Sequence, residues 1–221
     1  AANFKGANLS NTKLSKAHLL NAVLRNSILT ETDFTGANLS GADFTKANLS
    51  GANLSEADLS MADFTEADLS GANLTGVTIQ NTKLLGANFS KANLSGVNLT
   101  GVDLSGSVFI KTNLKNAILT GCRIYGISAW DIETEMTEQK DLIVTPLGES
   151  TLTTDNLEIA QLIYLLLNNP KIRDVIDTVA KKAVLILGRF EPEQKIVLYA
   201  IKEELRKKGY LPILFDFTKP S

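Results

Sequence analysis

From Phe4 to Ile124 every fifth residue is large and apolar, and these 25 positions hold 17 Leu, six Phe and two Ile. The residue two places before each is small or β-branched: fifteen Ala, four Thr, three Val, two Ser and Cys122. Asn or Asp stands between them in 16 of the 25 units, Ser or Thr follows the large residue in 17, and Gly or Asn closes the unit in 17. A period of five matches neither a helix nor an unbroken strand. It matches a short extended piece followed by a turn. In extended backbone the small and large residues face one side and the Asn or Asp between them faces the other. Gly or Asn in the last slot supplies the positive φ that the turn needs. Repetition predicts a coil with Leu, Phe and Ala inside and polar residues outside, its turns stacked about 4.8 Å apart through strand-like hydrogen bonds.

After Gly126 the rhythm stops. Residues 127–152 read as a linker and coil cap, with one extended piece at Leu142–Thr145 and with Ile127, Trp130 and Ile132 placed to plug the open end of the core. Asp155 followed by Glu158 makes a capping-box-like helix start. Leu157–Leu167 is apolar nearly all round, which predicts a buried helix. Asn169 as cap and Pro170 at the first position open another, with an apolar stripe at Ile172, Val175, Ile176 and Val179. Ala183–Leu187, closed by Gly188, reads as a buried strand. Pro192 opens an amphipathic helix to Lys208, with Val197, Leu198, Ile201 and Leu205 on its apolar face and Gly209 as its stop. Leu211–Phe217 is a second strand, so strand, helix and strand form a βαβ unit with parallel strands and a right-handed crossover.

The unit A-(N/D)-(L/F)-(S/T)-G, almost pure in Ala37–Gly41, makes residues 2–126 resemble the pentapeptide-repeat family. That resemblance implies four repeats per coil, a right-handed quadrilateral β-helix of about six coils spanning roughly 30 Å, and no catalysis in the repeat itself. The run from Asp155 to Pro220, above all VLILGRF at Val184–Phe190 and GYLPILFDFTKP at Gly209–Pro220, resembles the first half of a TIR-like, nucleotide-binding type of α/β domain. In a TIR-type NAD hydrolase the catalytic glutamate is expected beyond Ser221. The fold expected is therefore mainly β: a solenoid over 1–126, linker and cap over 127–152, and helices with a partial βαβ segment over 153–221.

Charge and rare residues narrow the functions. The 22 basic and 24 acidic residues nearly cancel, which removes a global pull toward nucleic acid or a membrane surface. One Cys excludes a disulfide framework and one His excludes a multi-histidine metal site. The longest strongly apolar stretch, Ile159–Leu167, is about half of a membrane span. The chain opens inside the repeat and without Met, so the expectation is a piece of a longer chain with no signal peptide. His18 reads as a solvated side chain and Cys122 as buried filler.

Outward slots turn apolar or aromatic in two places. Val108, Ile110, Ile118 and Tyr125, with Arg123 among them, are expected to lie under the chain that follows. Near the start, Leu20, Val23 and Ile28 form a candidate partner surface, a missing upstream piece or a simple loop being the alternatives. Glu56, Asp58, Asp63, Glu66 and Asp68 cluster, and some pentapeptide-repeat proteins mimic DNA with acidic solenoids that occupy gyrase. Residues 1–126, however, carry ten basic and nine acidic side chains, a net of +1. In the C-terminal segment ligands of parallel sheets sit at the carboxyl ends of strands. That edge holds Gly188, Arg189 and Asp216, with Phe190 and Lys219 beside them, as candidates for a nucleotide phosphate.

The reading is a non-enzymatic, cytoplasmic and bacterial interaction scaffold. It has no catalytic or metal residues, no cofactor, and neither nucleic acid nor membrane as partner. Its partner is a protein, or a second copy meeting the bare first coil or the C-terminal segment. The alternatives are a nucleotide-handling TIR-like signalling protein and, behind it, a gyrase-binding DNA mimic. The inward and outward assignment makes a prediction testable by thermal melting: Leu54→Lys unfolds the middle coils, whereas Asn53→Lys costs little, and equal melting temperatures contradict the assignment.

Overall fold

The computed structural model describes residues 1–171, 174, 183–188 and 192–216. They fall in two compact units, Ala1–Tyr164 and Leu165–Ser221.

In the first unit parallel bridges join residues twenty apart, from Asn3↔Val23 to Arg123↔Ile143, so each coil has four five-residue sides. On a regular side the amide of the large residue donates upward and the amide of the middle residue donates back. Thus Leu54 N donates to Asn73 O at 2.8 Å, and Asn73 N to Ala52 O at 3.0 Å. Most corners are β-turns in which the next small residue's amide donates to the large residue's carbonyl, as Ala57 N does to Leu54 O at 3.0 Å. The third turn residue has positive φ at every corner from Gly6 to Asp141, and sixteen of these residues are not glycine. Lys46, Glu56 and Met61 thus take a left-handed conformation because the coil demands it there.

The large and small slots close into one core. From Leu24 to Leu74 both slots are buried throughout. Phe44 and Phe64, one coil apart, stack with centroids 4.6 Å apart at 7°, and Phe89 and Phe109 repeat the arrangement at 5.3 Å. Where Thr, Ser or Cys replaces Ala in the small slot, its side chain donates to the carbonyl of a large residue, either 23 positions earlier, as Thr112 does to Phe89 and Cys122 to Leu99, or three positions earlier at its own corner, as Ser27 does to Leu24. Polar atoms thereby enter the core without losing their hydrogen bonds.

The coil outlasts its sequence signal, which corrects the expected linker at 127–152. Bridges continue through Asn113↔Glu133 and Ile118↔Glu138, and β1 (Val108–Ile110) pairs in parallel with β2 (Ser128–Trp130). Ile127, Ala129, Leu142 and Val144 fill inward slots, while Asp131, Met136 and Asp141 take the corners. The backbone pattern tolerates any side chain that fits once the rungs below are set. The short pair β3 (Leu142–Ile143) and β4 (Thr153–Thr154) is antiparallel.

Helix α1 (Leu157–Asn168) follows. Asn156, not Asp155, caps it: Asn156 Oδ1 accepts the Ile159 amide at 2.8 Å, while Asp155 Oδ1 accepts the Asp141 amide on the last corner. Contrary to the expected full burial, only Leu157, Ala160 and Gln161 of α1 are buried, and Ile159 and Leu162 are each 50% exposed. Gln161 accepts the Ala129 amide, an otherwise open donor of the last coil. Of the proposed plugs, Ile127 is buried and Ile132 packs on the core, but Trp130 sits on an outer corner and is 59% exposed.

In the second unit β5 (Ala183–Gly188) and β6 (Leu211–Asp216) pair in parallel, from Ala183↔Leu211 to Gly188↔Asp216, with α2 (Pro192–Lys207) between them in sequence. On α2 Leu198 is buried, whereas Val197 and Ile201, expected on the same apolar face, are exposed. Gly209, at φ 80°, ends the helix: Tyr210 N donates to Leu205 O and Gly209 N to Arg206 O. Asn169 Oδ1 accepts the Lys171 amide as a cap does. The apolar stripe Ile172–Val179 lies outside the described residues.

The outward Asn and Asp have a structural duty that the sequence did not reveal. Their Oδ1 accepts the amide two residues on, which is the second turn residue, and often that residue's hydroxyl as well. Asn53 takes both from Ser55, donates to Thr35 Oγ1 at 2.8 Å and accepts from Asn73 at 3.3 Å. The expectation that Asn53→Lys costs little is therefore corrected. Losing this half-buried set should cost roughly 1–3 kcal/mol, a drop in melting temperature that Asn53→Asp, which keeps the acceptor, largely avoids.

Candidate functional site

The regular wall is interrupted once between Leu19 and Ala129. Of the inward residues over that stretch, only Val77 and Ile79 are partly exposed. Along the same segment six consecutive inter-coil hydrogen bonds are missing among the described residues. The amides of Gly76, Ile79, Asn81 and Leu84 do not meet the carbonyls of Ser95, Asn98, Thr100 and Asp103, and the amides of Asn98 and Asp103 do not meet those of Val77 and Thr82. The bridges Thr78↔Asn98 and Lys83↔Asp103 are correspondingly absent from an otherwise continuous series. On both flanks the wall is whole: Leu74 N donates to Asn93 O at 2.8 Å, and Gly86 N to Ser105 O at 2.9 Å. The lost bonds cover two sides and two corners, and they leave a cleft of about 740 Å³ lined by Val77–Thr82 and by Asn98, Thr100 and Gly101–Asp103.

The cause lies in the small slot. Its three valines are Val77, Val97 and Val102, all at this place. Val97 follows Val77 by one coil, and Val102 follows Thr82. Two methyls more than Ala, on two consecutive sides, exceed what adjacent coils about 4.8 Å apart accommodate. Thr12 and Thr32 also follow one another by one coil, but Thr32 Oγ1 hydrogen-bonds Leu9 O and the rung between them holds. Valine has no such recourse. The sequence showed these three substitutions, and four repeats per coil put them on neighbouring sides of adjacent coils; what it hid was that the wall opens there.

The other candidates fare variously. Leu20, at a corner, is 54% exposed and Ile28, on a side, 42%, with Val23 half-buried on the side between them; they occupy the last corner of the first coil and the two sides that follow it rather than one face. His18 is exposed. Arg123 donates to Thr145 O, and Tyr125 meets Tyr164 of α1 edge-on at 5.0 Å, so part of the second group is covered by the following chain as expected; Ile110 stays exposed. Tyr164 also lies 3.4 Å from where a Cβ on Gly126 would be, an ordinary van der Waals distance, so its ring packs directly over that corner. Gly188 and Asp216 are register partners at the carboxyl ends of β5 and β6, and Arg189 lies outside the described residues.

The acidic cluster is partly neutralised. Asp63 pairs with Lys83 at 3.2 Å and Glu66 with Lys46 at 3.2 Å, each one coil away. Arg25 reaches Asp43 at 2.7 Å, which raises the guanidinium's already high pKa. Burial pushes the Cys122 thiol up to about 12, which leaves it without thiolate character. Among the described residues no group of three His, Cys, Asp or Glu is arranged to hold a metal ion, and no helix is long and apolar enough to cross a membrane.

A coil of four five-residue sides, with one inward pair per side and a left-handed residue at every corner, defines a pentapeptide β-solenoid. The family model described as pentapeptide repeats (8 copies) matches segments that together run from residue 2 to 126, and the chain belongs to this family. It is similar to a pentapeptide repeat protein from the Arabidopsis thaliana thylakoid lumen (32% identity, 56% of this chain and 69% of that one, TM-score 0.33). It is also similar to HetL, a pentapeptide repeat protein involved in heterocyst differentiation regulation from the cyanobacterium Nostoc sp. strain PCC 7120 (24%, 67% and 91%, TM-score 0.28). A third likeness is to QnrB1, a plasmid-mediated fluoroquinolone resistance protein (22%, 62% and 91%, TM-score 0.24). No curated protein matches the chain.

The outward carboxylates make stability depend on acid. The Thr35 hydroxyl and amide hold Asp33 below the usual carboxylate range. For Asp43 and Asp63 burial pushes upward, but the Thr45 and Thr65 hydroxyls and the basic partners outweigh it and the net shift is downward. A depressed folded pKa contributes stability that is complete above the unfolded value, about 4, and is lost as pH falls through the folded one. Melting temperature should therefore fall on acidification below about pH 4, and less steeply in Asp43→Asn/Asp63→Asn. Parallel acid limbs for the two proteins contradict this assignment.

Proposed function

We propose that this chain is a non-enzymatic scaffold for protein–protein contacts, with the solenoid as its interaction surface. The observation that carries the reading is the exposure of Leu20 and Ile28 on a wall whose other outward slots are mostly polar. The Asn and Asp of those slots are committed to holding turns, which leaves the apolar interruptions as the distinctive features a partner can recognise. Right-handed winding, about six coils over the repeat, a cytoplasmic location and a protein or a second copy as partner belong to the same reading. Nucleic acid fits poorly, because Asp63 and Glu66 face lysines and the repeat segment carries nearly balanced charge.

A nucleotide-handling, TIR-like signalling role is the second reading. One observation favours it: Gly188 and Asp216 are neighbours at the carboxyl edge of a parallel pair, where phosphates bind in open sheets.

The scaffold reading is tested by light scattering and affinity capture with the intact chain and with Leu20→Asp/Ile28→Asp. We expect self-association, or retention of discrete proteins, that weakens at least about tenfold in the double variant at unchanged melting temperature. Association and retention identical in both proteins, or absent from both, overturn it.

A further inference from the structure

The cleft between residues 76–84 and 95–103 is a row of unpaired strand edge set inside an otherwise closed wall. One lip presents the amides of Gly76, Ile79, Asn81 and Leu84 and the carbonyls of Val77 and Thr82. The other presents the carbonyls of Ser95, Asn98, Thr100 and Asp103 and the amides of Asn98 and Asp103. The donors and acceptors keep the alternation of a parallel ladder, so what complements them is backbone in the same extended, parallel register. Between the lips Val77 and Ile79 offer apolar surface on the inward side, while Thr78 and Gln80 stay exposed.

We propose that this cleft binds an extended peptide segment that enters as an additional rung, with small and large apolar side chains directed to Val77 and Ile79 and polar ones outward. The occupant is a polypeptide strand because six amides and six carbonyls in ladder order have no other single complement, and neither lip brings a cationic or anionic pair that would select a charged small molecule. Its side-chain pattern is that of the wall itself, small–polar–large, since the lips are two sides and two corners of that wall. This deepens the scaffold reading by naming the form of one partner at a place apart from Leu20 and Ile28.

The lip Gly76–Leu84 has the same repeat register as residues 36–44, GANLSGADF, so a blocked synthetic peptide of that sequence is the probe. Amide hydrogen exchange on the full chain reads the result. In the free chain Gly76, Ile79, Asn81, Leu84, Asn98 and Asp103 should exchange much faster than their counterparts one coil away. Saturating peptide should slow all six by at least about tenfold, while a scrambled peptide of the same composition leaves them unchanged.

A second variant separates binding from simple closure. Val97→Ala/Val102→Ala removes the excess volume, so the lips should pair with each other, protect the same amides without peptide and abolish peptide binding. Six amides already protected in the free chain, peptide without effect on them, or undiminished binding by the variant each overturn the proposal. None of these outcomes bears on capture through Leu20 and Ile28, so the two readings fail separately.

Discussion

The constraint on which the solenoid rests is the space allowed to one side chain, the small residue on each five-residue side. Successive coils are tied by two backbone hydrogen bonds per side and one per corner, and those bonds fix the coil spacing. Whatever points inward two residues before the Leu or Phe must fit within that spacing. Alanine does, and fifteen of the 25 units have it. Serine, threonine and cysteine fit because they convert their extra atom into a hydrogen bond to a backbone carbonyl, on the coil beneath as Ser107 does to Leu84 or at their own corner as Ser27 does to Leu24. Val97 over Val77 and Val102 over Thr82 have only bulk to offer, and the wall parts. One packing rule thus explains the regularity, its tolerated variants and its single interior fault.

The outer layer follows from the same backbone. A corner turn leaves the amide of its second residue without a partner in the neighbouring coil, and the Asn or Asp oxygen two residues earlier takes it, as Asn38 does for Ser40. Outside and inside are therefore both structural surfaces, and few side chains are free to act as chemistry. The exposed apolar residues Leu20 and Ile28 and the opened lips are where that commitment lapses.

The repeat, its inward and outward faces and its turns were legible because every unit states the same preference and 25 repetitions leave no competing register. Three things were not. The continuation over 127–144 lacks the Leu or Phe column, and it forms because the coil beneath supplies a template that residues such as Ala129 and Gln139 satisfy well enough. The helix cap passed from Asp155 to Asn156 because Asp155 is drawn to the Asp141 amide, a contact between residues fourteen apart that local spacing does not show. The cleft depends on how much inward side-chain volume adjacent coils tolerate, which the spacing of residues does not show. Of the candidate residues, Leu20 and Ile28 are exposed, and Gly188 and Asp216 share an edge whose arginine lies outside the described residues.

A solenoid couples each coil only to its neighbours, so its stability is divided among separate interfaces and the weakest of them is where it first parts. The missing rungs at Val77–Thr82 make that interface identifiable. The stretch before it, where Phe34 meets Phe44 edge-on and Phe44 stacks on Phe64, and the stretch after it, sealed by α1, are each continuous ladders joined by a pair of coils that keeps only half of its seam. Under heat or tension the unit should yield as two blocks that part at this seam, the intact corner on the far side acting as the hinge about which they swing.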